Sequence, residues 1–142
     1  MTVIVVGVDF SEPSKKALDA AVALAKGLGA GLVLVHANMP LPAGAKRGHL
    51  DPVTQLRSDV DADEVKLLTD TWAEQAGKSV KAEVVALEGK PADVVLDVAK
   101  TRKALYVVVG SHGRTGIRRA VLGSVAQAVV LASPIPVLVV PA

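Results

Sequence analysis

Val107–Val125, VVVGSHGRTGIRRAVLGSV, is the stretch from which the rest of the chain can be read. Three β-branched valines describe a buried strand. The chain then breaks at Gly110-Ser111-His112-Gly113, carries Arg114, Arg118 and Arg119, and closes on Gly123-Ser124 just where an apolar segment begins. This is a strand, a glycine-rich loop and a helix start. Glycine has no Cβ to hold a ligand off, so two points along one connector can bring main-chain N–H groups close to an anion. Ser124 would add a hydroxyl at a helix N-terminus, where the helix dipole also favours negative charge. The expected ligand of such a loop is the phosphate group of a nucleotide. The P-loop pattern GxxxxGK[ST] is nowhere in the chain, so main-chain amides and Ser124 would be the main phosphate donors.

Outward from this stretch, strand and helix patterns alternate. Thr2 to Val8 is a continuous valine-rich run, as expected of a strand buried on both faces. Ser11 can cap the next helix with Pro13 in its first turn, Leu18, Ala21, Val22 and Ala25 recur at helical spacing, and Gly27 and Gly29 end it. Gly31 to Ala37 is a second buried strand. Asn38 to Asp51 reads as a loop or flap, and Pro52 to about Ala76 as a helix. Val80 to Leu87 alternates, with Val80, Ala82, Val84 and Ala86 on one side, which suits an edge strand. A helix follows Glu88-Gly89-Lys90-Pro91, with Ala92, Val95, Leu96 and Ala99 inward. Leu105 to Val109 feeds the opening loop, Val125 to Ala132 forms the last helix and Pro136 to Val140 the last strand. Alternation of this kind gives βαβ units, a mainly parallel sheet and helices on both faces, and right-handed crossovers leave few strand orders.

Composition narrows the function classes. At 142 residues the chain is read as one domain, spanning residues 1–142, that buries about two thirds of its unfolded surface. It has 51% hydrophobic and 21% charged residues and no cysteine, so disulfides and thiolate metal sites are excluded. The N-terminus lacks the pattern of a signal peptide, and a cytoplasmic location is expected. Ala120 to Ala142 carries no charge and is long enough to cross a bilayer, but Pro134 and Pro136 interrupt it, so a short helix and a strand are expected instead of a membrane span. A net charge of +2 and only Phe10, Trp72 and Tyr106 as aromatics argue against a nucleic-acid partner.

The spacing Gly110-x2-Gly113-x9-Gly123-Ser124 resembles the G-x2-G-x9-G-(S/T) pattern of the ATP-binding branch of the universal stress protein family. The likeness extends to VGVDFSEPSKKAL near the N-terminus, to Leu34-Val35-His36-Ala37 and to the tail SPIPVLVV. It implies an open five-stranded sheet in the order 3-2-1-4-5, Rossmann-like and of the adenine nucleotide alpha hydrolase kind. A crevice then opens between strands 1 and 4 at their carboxyl ends, bringing Asp9 and Gly110 to one place. The resemblance also implies ATP, with magnesium, as the ligand of a dimeric stress-response regulator. AMP or cyclic AMP binding, and slow ATP hydrolysis or phosphotransfer, are the alternatives.

Residue by residue, Asp9 accepts from a ribose hydroxyl, or faces magnesium through water, or serves as a helix N-terminal acid near Ser11. Gly7 and Val8 lead into it and would offer main chain to the base, although the family sometimes has proline at the position of Gly7. Ala37 matches the position whose main chain meets adenine, and Val109, His112, Val125 and Ala126 match further contacts. His112 either donates to phosphate or orders the loop, and Arg114 either clamps phosphate or is simply solvated. His36, His49 and His112 have no metal-ligand spacing. Ser111 and His112, adjacent in sequence, make a poor serine–histidine pair, and no general base for water is visible. The apolar last strand invites pairing with another chain unless its own helices cover it. The resemblance implies a homodimer in which Pro136 to Val140 of each copy meet antiparallel, with a protein partner beyond that unidentified.

Overall fold

A computed structural model describes residues 1–38, 62–112 and 122–142. Within them five parallel strands, β1 (Val3–Gly7), β2 (Gly31–Asn38), β3 (Ala82–Glu88), β4 (Val107–Gly110) and β5 (Val137–Val140), lie in the order β3-β2-β1-β4-β5. The described helices are α1 (Glu12–Leu28), α2 (Ala62–Gly77), α3 (Pro91–Thr101) and α4 (Ser124–Ala132).

The valine-rich runs split by parity across the sheet. Val3, Val5, Val33 and Val35 pack with Val95 and Ala99 of α3 and Val129 of α4. Ile4, Val6, Leu32 and Leu34 pack with Leu18 and Ala21 of α1 and Ala76 of α2. Strict alternation in a strand covered on both sides gives both layers from one apolar run. Ser11 caps α1 by accepting from the Ser14 amide, and Gly29 ends that helix at φ 65°, a left-handed conformation that glycine adopts without a Cβ penalty.

The element boundaries differ from expectation in informative ways. β2 runs one residue further, taking in Asn38, because its ladder with β3 continues to Asn38 opposite Glu88. β4 starts at Val107 and ends at Gly110, two residues later than its apolar run suggests at the start. The expected one-sided alternation of β3 fails at Ala86, which is exposed. Ala82 and Val84 do face the α1–α2 layer, but Val85 packs into the opposite one, since an edge strand still has two faces. In α3 the buried face is Val94, Val95, Leu96, Val98 and Ala99, with Ala92 only half-buried. The loop expected from Asn38 to Asp51 and the first part of the helix expected from Pro52 lie, beyond Asn38 itself, outside the described residues. No helix among the described residues is long and apolar enough to cross a membrane.

Candidate functional site

β1 sits between β2 and β4, so the chain crosses to opposite sides of the sheet after β1 and after β3, and a crevice forms at the carboxyl end of β1. Three strand exits meet there, bearing Asp9, Ala37 and Gly110.

The hydrogen-bond parity of β2 places Ala37. In a parallel ladder, alternate residues turn both main-chain groups to the same neighbour. Gly31 donates to the Thr2 carbonyl and Val35 accepts from the Val8 amide at 2.9 Å, so residues 31, 33, 35 and 37 face β1. Leu32 donates to Lys81 and Asn38 accepts from Gly89, so the even residues face β3. The β1–β2 ladder ends at Gly7 opposite Val35, while β2 continues to Asn38. Ala37 therefore turns a donor and an acceptor toward ground that β1 has already left. Such a pair can take a ligand edge that offers an acceptor beside a donor.

Val8 is less available than expected. Its amide is bonded to Val35, and its carbonyl accepts from His36 Nδ1 at 2.9 Å, leaving a base only the second lone pair of that carbonyl. At Gly7, α3 packs close to β1: a Cβ there would lie 3.2 Å from Val95 Cγ2 and 3.7 Å from Val109 Cγ1. Val109 itself is buried against that layer.

Asp9 holds the start of α1. Its Oδ1 accepts from the Ser11 amide at 3.0 Å and from the Ser11 hydroxyl, and its own amide donates to Ser14 Oγ at 3.0 Å. The helix-capping role considered for this acid is thus present in the structure, at the mouth of the crevice.

The glycines of the β4 connector divide their roles differently from expectation. A Cβ on Gly110 would meet the Pro13 and His112 carbonyl oxygens, each at 3.1 Å. The missing side chain lets β4 pass beside the first turn of α1, and the space it leaves is lined by carbonyls. Gly123 commits its amide to the Ser111 carbonyl at 2.7 Å and serves as the N-cap of α4, its own carbonyl accepting from Gln127. That bond pins the start of α4 to the exit of β4. Ser124 is the first residue of α4 and not its cap, and its side chain is exposed. Val125 and Ala126 turn their side chains into the core.

What this end of α4 offers is its first-turn amides, which have no partner within a helix. Among α1, α3 and α4, only α4 has neither a side-chain cap nor an acid in its first turn; α1 has Ser11 and Glu12, and α3 has Asp93. Among the described residues, no acid in the helix's own first turn offsets the positive end of its dipole. Gly113, Arg114, Arg118 and Arg119 lie outside the described residues.

Ser111 and His112 correct the expectation of a poor pair. Despite their adjacency, Ser111 Oγ and His112 Nδ1 share a hydrogen bond of 3.0 Å. Both are buried, at 8% and 9% exposure, and the Ser111 amide is anchored to Val140 of β5.

Sequence reasoning passed over Phe10, His36 and Trp72. The Phe10 ring lies 4.8 Å from His36 and 5.1 Å, edge-on, from Trp72. Phe10 has φ 65°, an uncommon backbone state for a bulky residue. The available signal was His36, a polar side chain ending an apolar strand beside Ala37.

The model of the universal stress protein family matches residues 1–141. The universal stress protein YxiE of Bacillus subtilis (strain 168) is 35% identical over 143 residues, spanning 95% of each chain. A universal stress protein solved in complex with cAMP aligns at TM-score 0.73 and 27% identity, over 98% of this chain and 96% of that one. A universal stress protein from Archaeoglobus fulgidus solved in complex with dAMP aligns at TM-score 0.71 and 26% identity, over 98% and 97%.

Proposed function

The chain belongs to the universal stress protein family, and from that footing we propose that it is an adenine-nucleotide-binding regulatory module. The observation that carries this reading is the arrangement across the exit of β1. On one side stands the main-chain edge of Ala37, past the end of the β1 ladder, and on the other the start of α4, with glycine as its N-cap and no acid in its first turn. Adenine would lie against Ala37, the ribose would reach Asp9, and the phosphates would take the amides of Ser124, Val125 and Ala126. Gly113 and Arg114 would close the phosphates from the connector, and His112 would keep that connector in register.

ATP is the proposed ligand, with magnesium carried on its phosphates near Asp9. AMP or cyclic AMP is the second reading, favoured by the solved relatives in complex with cAMP and dAMP. Binding is proposed in preference to turnover. The Asp9 Oδ1 already accepts two hydrogen bonds from Ser11, which commits that oxygen to the turn before α1. A homodimer through β5 is part of the same proposal, and the cytoplasm is its proposed location.

Calorimetric titration with ATP, AMP and cyclic AMP, with and without magnesium, is the test. Saturable heat with at least one of them is expected, together with an adenine nucleotide released on denaturing protein purified without additions. No heat with any of the three and no released nucleotide would overturn the proposal.

A further inference from the structure

The exit of β1 is clamped by an imidazole and two aromatic rings contributed by β2, the turn after β1 and α2. His36, at the end of β2, donates through Nδ1 to the Val8 carbonyl at 2.9 Å. Its ring packs on Phe10 at a tilt of 41°, with centroids 4.8 Å apart. Phe10 in turn forms a T-shaped pair with Trp72, with centroids 5.1 Å apart. One imidazole thus fixes the residue before Asp9 through a hydrogen bond and the residue after it through ring packing. Phe10 needs such support. A left-handed φ of 65° is disfavoured for a non-glycine residue, and it persists only where neighbours over-determine it.

We propose that His36 is a positioning residue of the nucleotide site, holding Asp9 in place through Val8 on one side and the left-handed Phe10 on the other. The inference rests on the reading of the crevice as a nucleotide site. It adds that the affinity of the site is set in part by a side chain one layer removed from the ligand.

The strain at Phe10 makes the idea separable from mere support of the fold. Phe10→Gly would relieve the backbone penalty while deleting the ring, so stability and affinity are expected to part company. His36→Asn keeps an N–H donor close to the place of Nδ1, whereas His36→Leu keeps bulk and loses the donor. Wild type and the three variants would be titrated with AMP and with ATP by calorimetry, with thermal melts of each as the folding control. Trp72, the single tryptophan, supplies a fluorescence signal from the same cluster. His36→Leu is expected to weaken binding about tenfold, the effect of losing one well-made hydrogen bond, with His36→Asn recovering most of it. Phe10→Gly is expected to weaken binding by a similar factor without a lower melting temperature, and to abolish any change in Trp72 emission on nucleotide addition. Wild-type affinity in His36→Leu or in Phe10→Gly would overturn the inference, as would affinity losses that simply track lower melting temperatures. A wild-type protein that binds no nucleotide would instead overturn the functional reading, and the inference with it.

Discussion

At Gly110 a hydrogen atom stands where the carbonyls of Pro13 and His112 leave no room for a methyl group. Both neighbours are backbone and cannot swing aside. Gly110→Ala should therefore destabilise the fold by about 1–3 kcal/mol, the usual cost of forcing extra volume into a packed site, as read from urea unfolding. Gly27 provides the contrast: it lies within α1, and nothing would stand within 4 Å of its Cβ. Gly27→Ala should stabilise by roughly 0.5–1 kcal/mol through helix propensity alone. An unaltered Gly110→Ala midpoint would show that β4 does not pass as close to α1 as described. The sequence pattern marked Gly110 and Gly123 as places where main-chain amides could approach a phosphate. Spacing reports that a small residue is needed; only the fold reveals that one avoids a carbonyl and the other caps a helix. Asp9 stood between two readings for the same cause, because the residues that compete for its oxygens, Ser11 above all, declare themselves only when the turn is built.

Among the elements, β2 matters most because it outruns β1. Since Ala37 points its amide away from β3, Ala37→Pro would remove one donor facing the crevice and leave the β2–β3 ladder whole. The expected outcome is an intact fold by circular dichroism and a loss of nucleotide affinity of about tenfold or more, corresponding to one hydrogen bond. An unchanged affinity would take the base away from Ala37. At the opposite end of the sheet, Arg102 holds Glu83 by two bonds of 3.0 and 2.8 Å. The paired hydrogen bonds, and the charge of Arg102 behind them, keep the Glu83 carboxyl below its ordinary range. A carboxyl depressed in the folded state stabilises above its unfolded pKa, and that stabilisation is lost as pH falls through the lower folded value. Melting temperatures of wild type and Glu83→Gln should thus differ slightly near neutrality and converge in acid. The difference is small because both side chains are solvent-screened. Such an ion pair was not legible from the chain, where 19 residues separate its members. The elements themselves were legible, because valine runs and helical spacing are local signals; their ends were not, because a ladder stops where its neighbour does.

For the whole molecule, the two edges of the sheet differ in kind. β3 ends the sheet with Glu83 and Glu88 exposed along it, which discourages pairing with another chain, whereas β5 carries no charge. Leu138 is 39% and Leu131 78% exposed beside it. Val107 donates to Pro136 and Ser111 to Val140, so residues 136, 138 and 140 face β4 and the amides of Val137 and Val139 face outward. Val139→Pro would remove an outward donor without touching the internal ladder. Light scattering on a sizing column is expected to show a dimer for wild type and a folded monomer for this variant; a monomeric wild type would end the dimer proposal. Strand order was the part of the architecture that periodicity left open among several right-handed arrangements. It became readable only through the resemblance of the glycine-spaced connector and the two ends of the chain. The claim at the centre of the account is that adenine and phosphate are held by main-chain groups on either side of the β1 exit, and amide-resolved NMR during titration with AMP and ATP tests it most directly. Saturable shifts centred on Ala37 and on Ser124, Val125 and Ala126 are predicted. Saturable shifts confined to other parts of the molecule, or none at all, would contradict it.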